Sequence, residues 1–379
     1  MSLKIAIPRE THAGETRVGL TPDAVKRLAS GEIVIAIETG AGEAAGFGDA
    51  DYTAAGAEVI AERGALYADA DAVLKIAPPS ALPDGGHEAE LIPEGALLAC
   101  FLRPHENGEL LSLLARRNIT ALALELVPRI TRAQSMDALS SQSNLAGYKA
   151  VIIGAGTLGR IFPLLMTAAG TLAPARVLVL GAGVAGLQAI ATARRLGADT
   201  WGYDIRAVAR EQVESLGGKF VDLDEGAPED AETEGGYGRE LADEEQARKR
   251  ELLTEHVAKA HVVITTALVP GKTAPVLITD DMVGRMMRGS VIVDLAAEAG
   301  GNCTLSEPGR TIVTEGGVTI EAPLNVPASL PYHASQLLAK NLSALLTPMI
   351  GDDGIHVDLT DAVVAACCVT HAGAVRYGA

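Results

Sequence analysis

The stretch "ARVLVLGAGVAGLQAIATARRLGADTWGYD" (175–204) decides how the rest of the chain is read. An apolar, β-branched run stops at Gly181, glycines recur at 183 and 186, and "LQAIATARRLGA" then spaces its apolar residues as a helix does. "DTWGYD" reads as a second strand, closing on Asp204 about 20 residues past the first glycine. Strand, tight turn, helix, strand, acid is the order of a dinucleotide-binding unit. The first glycine makes the turn, the second lets a pyrophosphate approach the backbone, and the third lets the helix pack closely on the strand. The helix N-terminus then faces the phosphate charge. A carboxylate at Asp204 would accept from a ribose hydroxyl and repel a 2′-phosphate, which favours NAD over NADP. Val184, Ile205 and Arg206 flank this turn and are read as cofactor contacts, with Arg206 an adenine-stacking or structural cation.

A second phrase, "VIIGAGTLGR" (151–160), repeats the spacing through Gly154, Gly156 and Gly159. The residues before it look helical, and the matching downstream stretch, "TLAPARVLV", holds no acid. It is read as a helix that uses small residues for close packing. One nucleotide site is therefore expected, at Gly181–Gly186.

Working outward, strands are expected at 175–180, 199–204, 219–223, 262–268, 290–296 and 318–322, with helices between them. Six such strands match a doubly wound sheet. The first 130 residues repeat the rhythm, with strands at 4–8, 33–38, 72–77, 96–102 and 120–127 and a helix opened by Thr21, Pro22 and Asp23. Residues 137 to about 170 read as one long helical region connecting two domains. The segment 324–379 carries a strong helix and no evident strand series. The fold class is α/β: two Rossmann-like, doubly wound parallel-sheet domains joined by helices. The expected division is 1–136 with 325–379, and 137–324 as an inserted NAD domain.

At 379 residues, 48% of them apolar, the chain has material for two cores. A formal charge of −17 argues against a nucleic-acid partner, whose phosphates require clustered Lys and Arg. No secretory leader and no spanning helix are read, so direct membrane insertion is not expected, though docking on membrane subunits remains open. The four cysteines, Cys100, Cys303, Cys367 and Cys368, are too few and irregular for a disulfide framework. "CCVTHAG" has poor spacing for a metal, and buried thiols in a reducing cytoplasm are expected instead.

A dehydrogenase needs an acid or base at the substrate carbonyl. Arg17, Lys75 and His105 are candidates, but Lys75 at a strand end reads more simply as solvated, and His105 as a loop or cap residue. The polar segment "PRITRAQSMDALSSQSNLAGY" (128–148) concentrates Arg129, Gln134, Asp137 and Ser140. It is either a capped polar helix start or a hydrogen-bonding shell for nicotinamide and its ribose. The acidic segment 222–251, with Gly236 and Tyr237, is either a solvated excursion or a mobile loop that closes on a ligand.

Together with "AETEGGYGRE", "ITTALVPGKTAPVLIT" and "VDLAAEAGGNC", these segments resemble the NAD(H)-binding component, the alpha subunit's soluble domain, of proton-translocating nicotinamide nucleotide transhydrogenase. The resemblance runs over nearly the whole chain. It implies direct hydride transfer between NAD(H) here and NADP(H) on a partner component, coupled to proton movement by membrane-spanning subunits. Such a transfer needs no proton donor. By motif position, Gln134 would contact the nicotinamide ribose, Arg129 and Asp137 would hold the loop, and Ser140 would bond the carboxamide. Gly236 and Tyr237 would close over the nucleotide, and Thr266, Ala267 and Leu268 would line its crossing. A homodimer is implied, cytoplasmic and peripheral on the inner face of the cell membrane. "CFLRPHENGELL" and the glycine-rich "IIGAGTLGR" depart from the expected pattern. The alternative is an alanine-dehydrogenase-like enzyme whose Lys75 and Arg17 bind a 2-oxo acid.

Overall fold

The structure is a computed structural model that describes residues 3–29, 32–82, 85–223, 243–269 and 271–378. Toward the N-terminus, β1 (Leu3–Ile7), β2 (Ile33–Glu38), β3 (Glu58–Ile60), β4 (Ala72–Leu74), β5 (Leu97–Cys100) and β6 (Thr120–Ala123) alternate with α1 (Pro22–Leu28), α2 (Asp49–Ala54), α3 (Arg63–Tyr67) and α4 (Gly108–Arg116). All their pairings are parallel. The strands are short apolar runs because a parallel sheet is covered on both faces. Two apolar cores lie on its two sides, one led by Ile5, Ile35 and Leu74, the other by Val73, Leu98 and Ala121. Thr21 does precede α1 with Pro22 in its first turn, although the threonine side chain makes no capping bond.

Helix α5 (Ala138–Thr157) is followed by an antiparallel hairpin, β7 (Leu165–Thr167) and β8 (Gly170–Leu172). The expected helix to about 170 therefore ends early. Pro163 cannot continue a helix, and Gly170, at φ +135°, supplies the turn. The hairpin carries Leu165, Met166 and Leu172 to the surface.

The second sheet contains β9 (Arg176–Leu180), β10 (Asp199–Tyr203), β11 (Lys219–Phe220), β12 (Val262–Thr265), β13 (Val291–Asp294), β14 (Thr311–Val313) and β15 (Thr319–Glu321). Between these strands run α6 (Val184–Arg195), α7 (Val208–Ser215), α8 (Asp243–Ala258) and α9 (Asp280–Gly284). Its order is β11-β10-β9-β12-β13-β15-β14, parallel except for the edge strand β14. The chain reverses direction across the sheet between β9 and β12, the switch point at which open α/β sheets bind ligands. Strand β14, like β3, was not read from the sequence.

Helix α10 (Pro331–Leu346) then packs its buried face of Ala334, Leu338, Leu342 and Leu345 into the first sheet's core. After a small hairpin, β16 (Ile350–Gly351) with β17 (Gly354–Ile355), come α11 (Ala362–Cys367), β18 (Cys368–His371) and β19 (Ala374–Val375). Strand β18 joins β6 in antiparallel fashion and extends the first sheet to eight strands. The expectation of a strandless tail is thus corrected. A two-residue β19 and a β18 that directly continues a helix leave too little alternation to read. The described residues form two compact units, Met1–Gln142 with Pro327–Ala379, and Ser143–Val326. All four cysteines are free and buried. Among the described residues, no cluster suits a metal ion and no helix is long and apolar enough to cross a membrane.

Candidate functional site

The glycine turn of the second unit is built from backbone close approaches. Gly181 has φ +96°, and its amide donates to the Tyr203 carbonyl at 2.8 Å, joining the tips of β9 and β10. The Thr266 hydroxyl, beyond β12, donates to the Gly181 carbonyl at 2.7 Å. A Cβ on Gly186 would lie 1.8 Å from that same carbonyl oxygen, so only glycine lets α6 begin there. Gly183 is different: a Cβ there meets nothing within 4 Å. It caps α6 without a side-chain acceptor, leaving the first-turn amides for an anion. The space over Gly183 and the uncapped helix start together fit a pyrophosphate.

Asp204 stands at the end of β10 and fastens the turn. One carboxylate oxygen accepts from the Ala182 amide at 2.8 Å, and the other from the Arg206 amide at 2.9 Å. The Arg206 guanidinium bonds both oxygens at 3.0 Å and reaches the Ala182 carbonyl at 3.3 Å. Ile205 and Leu268 are exposed apolar side chains, while Val184, Thr266 and Ala267 are half-buried. A brace not read from the sequence holds the segment after β12. Asn302, wholly buried, accepts from the Ala267 amide at 3.0 Å and donates to the Ala267 carbonyl at 2.9 Å. Buried Asp294 in turn receives the Asn302 and Cys303 amides and the Thr265 and Ser306 hydroxyls. "GGNC" was the available signal, in which a polar residue and turn glycines follow a buried strand that ends in Asp.

The rival glycine phrase lies at the C-terminal end of α5. A Cβ on Gly154 would come within 2.8 Å of a Val262 methyl, so this glycine lets the helix sit on β12. Gly156 and Gly159 have open space. Earlier in α5, a Cβ on Gly147 would fall 2.0 Å from the Ala185 carbonyl oxygen. Glycine there brings the helix backbone against the start of α6.

In the first unit, Thr131–Met136 forms a 3₁₀ turn ahead of α5. Gln134 and Arg129 are exposed, whereas Ala133 between them is fully buried. Asp137 caps α5, accepting from the Ser140 amide at 2.8 Å and the Ser140 hydroxyl at 2.5 Å. Arg132 pairs with Asp361 at 2.6 Å. That hydrogen bond, with the Val363 and Val364 amides, holds the Asp361 carboxyl at about 2. Gly236 and Tyr237 lie outside the described residues.

Lys75 is not solvated. It is wholly buried, 2.8 Å from Glu88 and 3.5 Å from Glu10, with the Tyr67 hydroxyl donating to Glu88 at 2.8 Å. Burial opposes its charge, but the two carboxylates outweigh burial and raise its pKa. Burial instead dominates at Glu10, whose carboxyl is raised. These partners come from distant segments, which left no local pattern to read. Arg17 is likewise buried, paired with Glu15 at 2.7 Å and bonded to Gln142 at 2.8 Å. His105 lies half-exposed beside Glu106.

Two family models match in tandem: the alanine dehydrogenase/PNT N-terminal domain over residues 6–146, and the C-terminal domain of the same description over 150–378. The chain belongs to the alanine dehydrogenase/PNT family. Within the family it is 51% identical to the first of the chains that make up NAD(P) transhydrogenase subunit alpha of Rhodospirillum rubrum, over all of this chain and 98% of that one. It is 30% identical to alanine dehydrogenase 2 of Staphylococcus aureus, over 93% and 88% of the two chains. A transhydrogenase structure from Sinorhizobium meliloti superposes with a TM-score of 0.87 at 44% identity, over 98% of this chain and 99% of that one. An L-alanine dehydrogenase structure gives 0.79 at 29%, over 99% and 97%. Both branches share the two-unit α/β architecture found here, and the transhydrogenase alpha subunits are the nearer of these relatives.

Proposed function

We propose that this chain is the NAD(H)-binding component of a proton-translocating transhydrogenase. It would exchange hydride directly with NADP(H) held on a partner component. The observation that carries this reading is the contrast between the chain's buried cations and its exposed polar turn. Lys75 and Arg17, which an alanine-dehydrogenase-like enzyme would turn toward a 2-oxo acid, are sealed against Glu88, Glu10 and Glu15. Gln134 and Arg129, which hydride exchange would use, stand exposed on a turn without a proton-transferring side chain.

When bound, NAD(H) supplies the hydride chemistry. The Gly181–Gly186 turn and the first amides of α6 would hold its pyrophosphate, and Asp204 its adenosine ribose. Arg206 partly neutralises Asp204, so the 2′-hydroxyl would be accepted by a carboxylate already oriented by the Ala182 amide. Thr266, Ala267 and Leu268 would line the crossing, and Tyr237 with Gly236 would close over it. Gln134 would span the gap to the second nucleotide, Ser140 would receive the carboxamide, and Arg129 and Asp137 would keep the turn in place. Catalysis then rests on alignment and exclusion of water, since hydride exchange between two rings needs no acid or base.

The partners are a second copy of this chain, the NADP(H)-binding component and the membrane-spanning subunits that couple exchange to proton movement. The chain would thus be peripheral on the inner face of the cell membrane. The hairpin supports the homodimer: Leu164, Leu165, Met166 and Leu172 are 55%, 44%, 75% and 53% exposed, an apolar surface that a monomer has no reason to show. The deciding experiment mixes the chain with an NADP-loaded partner component and follows hydride exchange with an NAD analogue. Exchange that requires both proteins is expected. Steady consumption of NADH by the chain alone with pyruvate and ammonia would favour the alanine-dehydrogenase reading.

A further inference from the structure

An asparagine amid the apolar face of a helix is costly unless its amide is fully bonded. Asn341 is such a residue. It is 6% exposed on α10, in a row of buried Leu338, Ala339, Leu342 and Leu345. Its Nδ2 donates to the Ser135 carbonyl at 2.8 Å, and its Oδ1 accepts from the Ser141 hydroxyl at 2.7 Å. One side chain thus ties the turn that carries Gln134 to the first turn of α5.

Ser141 is itself held. The Gln142 Nε2 donates to its oxygen at 3.3 Å and to the Ala334 carbonyl at 3.1 Å, while the Gln142 Oε1 accepts from Arg17 at 2.8 Å. Arg17 is fixed in turn by Glu15. A buried chain of bonds therefore runs from Glu15 through Arg17, Gln142, Ser141 and Asn341 to the carbonyl beside Gln134. The other polar restraint on the turn, Arg132 with Asp361, is solvent-exposed and correspondingly weak. Ala133, fully buried, anchors the residue on the other side of Gln134.

We infer that Asn341 is a positioning residue for hydride exchange, setting the conformer in which Gln134 is presented without touching nucleotide. The inference rests on the role proposed above for Gln134. It also accounts for Arg17 and Gln142, which orient the clamp rather than meet a substrate.

The test compares Asn341→Leu, which fits among the neighbouring leucines while removing both bonds, with Asn341→Asp, which keeps an acceptor for Ser141 and loses the donor to Ser135. Ser141→Ala is a third variant should either fold poorly, and Lys340→Ala, exposed on the same helix, is the control. With the NADP-loaded partner, Asn341→Leu should lower the exchange rate about 10- to 100-fold through misplacement of the turn. Its KM for NADH should stay within about twofold. Amide hydrogen exchange over 131–137 should quicken in both Asn341 variants and not in the control. A Leu variant that transfers normally, or one that loses NADH affinity and thermal stability in step with rate, overturns the inference. If the unaltered chain transfers no hydride, the functional reading has failed on its own. Amide exchange over 131–137 still decides the clamp, and unchanged protection in Asn341→Leu would sink it.

Discussion

The turn at Gly181–Gly186 and the phrase at Gly154–Gly159 share a spacing and differ in what fills the space that each missing side chain leaves. In the first, Gly186 yields to a backbone carbonyl and Gly183 opens onto free space at a helix N-terminus. In the second, Gly154 yields to a valine methyl on the neighbouring strand, and the other two glycines yield to nothing. A glycine pattern thus marks a ligand site only where a strand ends at it and a helix begins from it. Within a helix, the same letters record packing.

That difference can be broken by four single substitutions. Gly186→Ala should have the largest effect, because the Gly181 carbonyl cannot move without unmaking the turn. Loss of NADH binding and about 4 kcal/mol or more of stability are expected from calorimetry and chemical unfolding. Gly154→Ala should cost about 1–3 kcal/mol through overpacking against Val262, with NADH affinity retained and Val262→Ala restoring part of the loss. Gly183→Ala should leave the melting temperature alone, since its φ of −78° suits alanine. It should still weaken NADH binding about tenfold, or about 1.4 kcal/mol, by intruding on the pyrophosphate. Gly156→Ala should be the mildest, a gain of about 0.5–1 kcal/mol from helix propensity with unchanged binding. A Gly156→Ala variant that lost NADH would make the second phrase a site and collapse the comparison.

Much of this was legible because it is local. Strand, turn and helix at 175–195 lie within one continuous stretch, and buried parallel strands announce themselves as short β-branched runs. What escaped depended on distant partners or very short elements. Lys75 reads as a solvated terminus until Glu10 and Glu88 arrive from other segments, and Asn341 reads as one polar residue in a strong helix until Ser135 is folded against it. The hairpin at 165–172 was lost in an apolar run whose alternation spans only three residues per strand. The edge strands β3 and β14 failed for the same reason.

The return of β18 to the edge of β6 has a consequence for the order in which the molecule matures. The unit Ser143–Val326 is one continuous stretch, whereas the other draws its last sheet strands and α10 from beyond residue 326. During synthesis the interior segment can fold as soon as it is made, while the N-terminal strands wait for the last stretch of the chain. Until then β6 is an open sheet edge and the core beneath α10 is uncovered, a state prone to wrong pairing. The portion of the protein translated first is therefore the last to be finished.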